Sequence, residues 1–147
     1  MPPVVLDASA LLAYWLDEPG SEVVQQAIGE HGALISAPNF AEVLSKLIDA
    51  RPDFAHKLGT AGPRSAEESM AIVTGLPMAG GAISVEPFGL QDALLCAKLR
   101  PLTVHKGLSL GDRACLAVAL RLGVAALTAD KAWTGISVGV SVIQIRM

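Results

Sequence analysis

Asp7, Glu42, Asp112 and Asp130 are the residues whose type and placement point to chemistry. Asp7 directly follows the apolar run Val4-Val5-Leu6, and Asp130 follows the run Val124 to Thr128 after Ala129. Glu42 lies in the first turns after Ala33-Leu34-Ile35-Ser36-Ala37, and Asp112 opens an apolar helical stretch. Carboxylates gathered in one cleft repel by about 3 kcal/mol per pair at roughly 5 Å and an effective dielectric near 20. Such a cluster takes up protons or a cation. Oxygen donors with no cysteine or histidine beside them select Mg2+, with Mn2+ as a substitute, over zinc or copper. Two such ions about 4 Å apart suit in-line hydrolysis of a phosphodiester, because together they activate a water, hold the phosphate and stabilise the leaving 3′ oxygen.

The elements that must position these side chains follow from the hydrophobic pattern. Short continuous apolar runs predict strands at Val4–Leu6, Ala33–Ala37, Ala82–Val85, Val124–Thr128 and Val142–Ile145. Between them lie helical patterns: Leu11 to Leu16, Ser21 to Glu30, a helix from Pro38 carrying Phe40, Val43, Leu44, Leu47 and Ile48 on one face, Ser65 to Leu76, Leu90 to Leu99, and 112–122. Pro87 and Pro101 are expected to bound the fifth of these, while Ser109 to Asp112 has the form of a capping box and Gly123 closes the last helix. A helical turn is expected near Lys131. Residues 51–63 hold Pro52, Gly59, Gly62 and Pro63 and predict a turn-rich passage. Strands that are apolar throughout, alternating with helices, predict an α/β three-layer sandwich around a mostly parallel sheet.

In an open parallel sheet, strand C-termini and the N-termini of the following helices share the edge where ligands bind. Asp7, Glu42, Asp112 and Asp130 all map to that edge, but so do Glu86 and Asp92. Each member of the quartet also has a structural reading. Asp7, Asp112 and Asp130 can serve as helix caps, and Glu42 lies off the Phe40/Val43/Leu47 stripe, where it can pair with Lys46.

Val5-Leu6-Asp7-Ala8-Ser9-Ala10-Leu11-Leu12-Ala13, Asn39-Phe40-Ala41-Glu42-Val43, Leu108-Ser109-Leu110-Gly111-Asp112-Arg113 and Leu127-Thr128-Ala129-Asp130 resemble, in order and spacing, the motifs of PIN-domain ribonucleases, specifically VapC-type toxins of toxin–antitoxin systems. The resemblance spans essentially the whole chain, although residues 51–81 carry no motif. It implies that Asp7, Glu42, Asp112 and Asp130 form an acidic quartet supported by the hydroxyls of Ser9 and Thr128. Asp7, Glu42 and Asp112 are then the first-choice metal ligands, and Asp130 binds a second ion or positions water. The implied activity is endoribonuclease cleavage leaving 5′-phosphate and 3′-hydroxyl ends. A VapB-type antitoxin that blocks the cleft and a homodimer are implied as well. Arg113 and Lys106 are candidate contacts to flanking phosphate, with a capping or surface role as the other reading.

Composition removes several other function classes. A chain of 147 residues predicts one domain, 1–147. With 52% hydrophobic and 17% charged residues it folds rather than remaining disordered. Its six aromatics (Trp 2, Tyr 1, Phe 3) are too few and scattered for a base-stacking platform. Cys96 and Cys115 form neither a CxxC nor a disulfide framework, which fits a reducing cytoplasm. The longest apolar run, Ala114 to Leu120, is far short of the roughly 18 residues a membrane span requires, and the N-terminus lacks a basic start before Asp7 interrupts it. Net charge is −3, yet without the quartet ten acids face eleven bases. Lys98, Arg100, Lys106, Arg113 and Arg121 form a possible basic strip with only Asp112 among them. His31, His56 and His105 are expected at the surface, and Cys115 as a buried small hydrophobe. Neither Ser9 nor Ser109 sits in a GxSxG motif.

Two rival readings remain. A phosphoaspartyl phosphatase also places an aspartate after its first strand, but it wants an Asp-x-Asp pattern where this chain has Ser9. The other is a non-catalytic α/β interaction module whose acids only cap helices.

Overall fold

Val4, Val5 and Leu6 form β1 (Val4–Leu6), a strand buried along its whole length at the centre of the sheet. In this computed structural model, which describes residues 2–49, 67 and 81–147, the chain continues through α1 (Ala8–Trp15), α2 (Ser21–His31), β2 (Ala33–Ser36) and α3 (Ala37–Asp49). The elements after residue 80 are β3 (Ile83–Glu86), α4 (Leu90–Thr103), α5 (Leu110–Leu122), β4 (Ala126–Thr128) and β5 (Val142–Gln144), with 3-10 turns at Val104–Lys106 and Lys131–Trp133. The strand order is β3-β2-β1-β4-β5, and every neighbouring pair is parallel. The expected α/β class and parallel sheet are therefore present.

Alternation along the strands separates two cores. Val4 and Leu6 pack with α1, α2 and Val43 of α3, whereas Val5 faces the opposite layer with Cys96, Leu99 and the buried face of α5. The sheet thus lies between two helical layers. From β1 the chain adds β2 and β3 on one side, and it later adds β4 and β5 on the other. The β1/β4 boundary is a topological switch point, where a crevice opens beyond the strand C-termini. Gly20, at φ +97°, lets the start of α2 approach the end of the chain, since a Cβ there would stand 2.6 Å from the Ile145 carbonyl oxygen.

Several boundaries differ from expectation. Pro101 lies inside α4, not beyond it. It falls in the last turn, so the missing proline N–H takes the helical donor from the Ala97 carbonyl alone and α4 ends two residues later. α5 begins at Leu110, two residues before Asp112, because Ser109 is the N-cap. β4 begins at Ala126, not Val124, because Gly123 closes α5 in the left-handed conformation and the Val124 N–H is still bonded to the Ala119 carbonyl. β3 runs one residue later than expected. The predicted helix Ser65 to Leu76, the turn-rich passage 51–63 and His56 lie outside the described residues. Among the described residues, no helix is long and apolar enough to cross a membrane.

Candidate metal-binding and active site

Asp7 sits where β1 ends and α1 begins, with only 3% of its surface exposed. As N-cap it accepts the Ala10 N–H on Oδ1 at 2.8 Å, which makes the predicted capping role real. The Ser9 hydroxyl donates to the same oxygen at 2.7 Å, and the Thr128 hydroxyl donates to Oδ2 at 2.5 Å. Each hydroxyl in turn accepts a backbone N–H from the end of β4: Ser9 from Ala129 and Thr128 from Asp130, both at 3.0 Å. Two short relays therefore fix Asp7 against the strand that carries Asp130. Burial pushes the Asp7 carboxyl up from 3.8 to about 6, against the three hydrogen bonds, and the nearby Asp112 pushes it the same way.

Asp112 lies in the first turn of α5, in the capping box expected for it. Its Oδ2 accepts the Ser109 N–H at 2.8 Å, while its own N–H donates to the Ser109 hydroxyl at 3.2 Å. Asp130 caps the 3-10 turn that follows β4, with Oδ1 accepting the Ala132 N–H at 2.9 Å. Asp112 thus acts on Asp7 electrostatically and Asp130 follows β4, each carboxylate held by a neighbouring backbone N–H.

Glu42 is exposed on α3 and faces the start of α5. A methyl group on Gly111 would stand 3.1 Å from Glu42 Oε1, so the glycine lets the two helices approach just before Asp112. Asn39, one turn earlier on α3, is only 1% exposed. Its Nδ2 donates to the Gly111 carbonyl at 3.0 Å, its Oδ1 accepts from the Ser36 hydroxyl, and its N–H donates to Ser36 Oγ at 3.3 Å. Asn39 and Ser36 support the site although neither residue type nor periodicity marks them for it. The available signal was a polar pair three residues apart at the end of an otherwise buried strand, the spacing of a helix cap.

Glu86 and Asp92, which topology left as candidates, belong to a separate cluster. Arg121 donates from Nε to Asp92 Oδ1 at 2.6 Å and from Nη2 to Glu86 Oε1 at 3.0 Å, and Asp92 Oδ2 accepts the Gly89 N–H at 3.0 Å. These bonds join the starts of α4 and the end of β3 to the end of α5. The possible basic strip is consequently not a strip. Arg121 is ion-paired, and Arg113, considered as a phosphate contact, is turned inwards with Nη1 donating to the Cys96 carbonyl at 3.1 Å. Its place one residue after Asp112 puts its side chain on the buried face of α5 against α4. Lys106 is exposed on the turn after α4, as are Lys98 and Arg100 on the helix itself. Cys115 is buried, and its thiol is pushed well up by burial and then by Asp7 and Asp112, as for an inert core cysteine.

The donor set fits a hard divalent cation. A carboxylate has roughly four lone-pair positions. Asp7 commits three and keeps one on Oδ2, while Asp112 and Asp130 each commit one to the bonds above. A cation beside Asp7 would offset both its burial and the repulsion from Asp112. Among the described residues, no three of His, Cys, Asp and Glu lie close enough to hold a metal ion together. The carboxylates stand along one edge rather than around one point.

The family model for the PIN domain matches residues 4–138. The fold is similar to that of VapBC2 from Rickettsia felis bound to a DNA fragment from their promoter, at TM-score 0.67 and 12% identity over 96% of this chain and 97% of that one. It is similar to DNA-bound VapBC from Salmonella typhimurium, at TM-score 0.68 and 15% identity over 99% of both chains. FitAcB from Neisseria gonorrhoeae gives TM-score 0.62 and 18% identity over 97% of both. No curated protein sequence matches the chain. The family match covers nearly all of the sequence that builds the parallel sheet and the Asp7 crevice, and the chain belongs to the PIN domain family.

Proposed function

We propose that this chain is a Mg2+-dependent endoribonuclease, with Mn2+ as a substitute, and the toxin of a VapBC-type toxin–antitoxin pair. The observation that carries the reading is the Asp7 carboxyl, buried, raised to about 6 and opposed by Asp112 at the switch point of the sheet. Buried acids kept close to a like charge are a liability to the fold, and they become an asset when a cation is bound between them.

Asp7 and Asp112 are the residues that would share the metal, and Glu42, exposed on α3 and facing the start of α5, would join them by a change of side-chain rotamer. Asp130 would bind a second ion or accept the proton of an attacking water at its carboxylate. The bound metal supplies charge neutralisation at the phosphate and a more acidic water. Ser9, Thr128 and the Ala10 N–H hold the Asp7 carboxylate in one orientation, and Ser109 does the same for Asp112. Asn39 keeps the Glu42 helix registered on the Asp112 helix through Gly111. Cleavage leaves a 5′-phosphate and a 3′-hydroxyl. The similar structures are of VapBC and FitAcB assemblies, which supports a VapB-type antitoxin as partner here, and a homodimer is proposed with it.

The capping bonds of Asp7, Asp112 and Asp130 favour one rival, an interaction module without catalysis. Incubation of purified protein with RNA separates the two. Cleavage that requires added Mg2+ and is lost in Asp7→Ala supports the nuclease, and RNA left intact at every metal concentration supports the module.

A further inference from the structure

Beyond the carboxylates, a cavity of about 440 Å3 lies between the turn after β4 and the end of the chain, lined by Lys131, Thr134, Gln144, Arg146 and Met147. That size is within the range of pockets that take small molecules. Its position is fixed relative to Asp130 by two features. Lys131 is the next residue in the chain, and Gln144 Nε2 donates to the Asp130 carbonyl at 2.9 Å. Arg146 is held by an Nη1 bond to the Pro19 carbonyl at 3.0 Å, at the close approach that Gly20 allows. Neither Lys131 nor Arg146 is ion-paired among the described residues.

The lining brings the apolar Met147 together with the long cationic side chains of Lys131 and Arg146, so apolar surface and positive charge meet in one cavity. That is the chemistry of a nucleotide, whose base and ribose rest on apolar surface while its phosphate meets the charges. Need and location agree as well. The chain carries net charge −3, and the carboxylate edge repels a polyanion unless cations stand close by. Arg113, next to Asp112 in sequence, is turned into the fold, and Arg121 is ion-paired with Glu86 and Asp92.

We propose that this cavity is a nucleotide subsite, which grips single-stranded RNA beside the scissile phosphate through Lys131 and Arg146. The subsite rests on the reading of the chain as an RNA-cleaving enzyme, and binding and cleavage are therefore measured separately. The probe is a fluorescein-labelled single-stranded RNA of about 20 mixed-sequence nucleotides, titrated with the full chain in EDTA and followed by anisotropy between 50 and 200 mM salt. Each phosphate contact on a single strand contributes a slope of roughly 0.7 in log affinity against log salt. Lys131→Met keeps the apolar stem at an exposed position, and Lys131→Arg keeps the charge. The Lys131→Met/Arg146→Met double variant is expected to bind roughly tenfold more weakly, with a slope shallower by about 1.4, while Lys131→Arg binds as wild type. Thermal unfolding checks that the double variant is folded, and Lys131→Met alone is expected to lose about half of the slope difference.

Wild-type affinity and slope in both Met variants would overturn the subsite even where the wild-type protein cleaves RNA. RNA binding that depends on Lys131 and Arg146, without cleavage on adding Mg2+, would support the cavity and remove the nuclease reading. A wild-type protein that binds no RNA overturns the subsite. Loss of affinity for a poly-glutamate peptide with RNA affinity intact would assign the cations to an acidic protein partner and also overturn it.

Discussion

Thr128 donates its hydroxyl to Asp7 Oδ2 at 2.5 Å across 121 positions of sequence, and the same oxygen atom of Thr128 accepts the Asp130 N–H at 3.0 Å. One threonine therefore sets the orientation of one candidate ligand and the backbone of another. Thr128→Val keeps the shape and removes both bonds. It is expected to lower metal affinity and cleavage 10–100-fold, as loss of a partner that orients a metal ligand commonly does. Metal titration followed by cleavage rate checks this, and a variant with unchanged metal dependence would remove Thr128 from the site.

Asp7 gives a pH dependence with a definite sign. In the folded, metal-free protein its carboxyl titrates at about 6, above its ordinary 3.8, so the folded state holds the proton more tightly than the unfolded chain. Its contribution to stability is full below about pH 4 and is lost as the pH rises through 6. Asp7→Asn has no such carboxyl to ionise. In EDTA the variant should match the wild type near pH 4 and exceed it by about 1–3 kcal/mol at pH 7.5, while cleaving no RNA. Denaturant unfolding at the two pH values measures the difference, and a gain that fails to grow with pH contradicts the assignment.

Gly111→Ala separates stability from activity. Alanine is the better helix former by roughly 0.5–1 kcal/mol, so the variant should unfold at the wild-type temperature or slightly above it. Its methyl group would stand 3.1 Å from Glu42 Oε1, and that carboxylate must shift. A cleavage rate reduced about tenfold in a protein of undiminished stability is the expected pair of results. Full activity would show that Glu42 has no part in the chemistry.

The Arg121 cluster lies apart from the crevice and predicts the reverse. Arg121→Met leaves the buried Asp92 without its partner and should cost about 2 kcal/mol in unfolding free energy. Activity per folded molecule should stay within twofold of wild type. A variant that is stable but inactive would place Arg121 in the site.

The sequence carried the element order because its signals are local. Continuous apolar runs mark the strands, and Ser109 with Asp112 marks the start of α5 to within one residue of its cap. The parallel sheet then makes the shared edge of Asp7 and Asp130 a consequence of topology. Contacts between distant segments had no such signal. Asn39 meets Gly111 across 72 positions, and nothing local in either residue announces the other. Arg113 reads as a surface cation by type, and only the packing of α5 on α4 turns it inwards to the Cys96 carbonyl. Pro101 reads as a helix end, but its place in a final turn lets α4 continue to Thr103. Glu86 and Asp92 share the edge expected of site residues, and the choice against them lies in Arg121, an electrostatic partner from another helix.

Anomalous diffraction from crystals soaked in Mn2+ tests the central claim most directly. The account predicts a peak within about 2.0–2.3 Å of carboxylate oxygens of both Asp7 and Asp112, absent from crystals of Asp7→Asn. Manganese bound elsewhere on the surface, with none between these two aspartates, would contradict it.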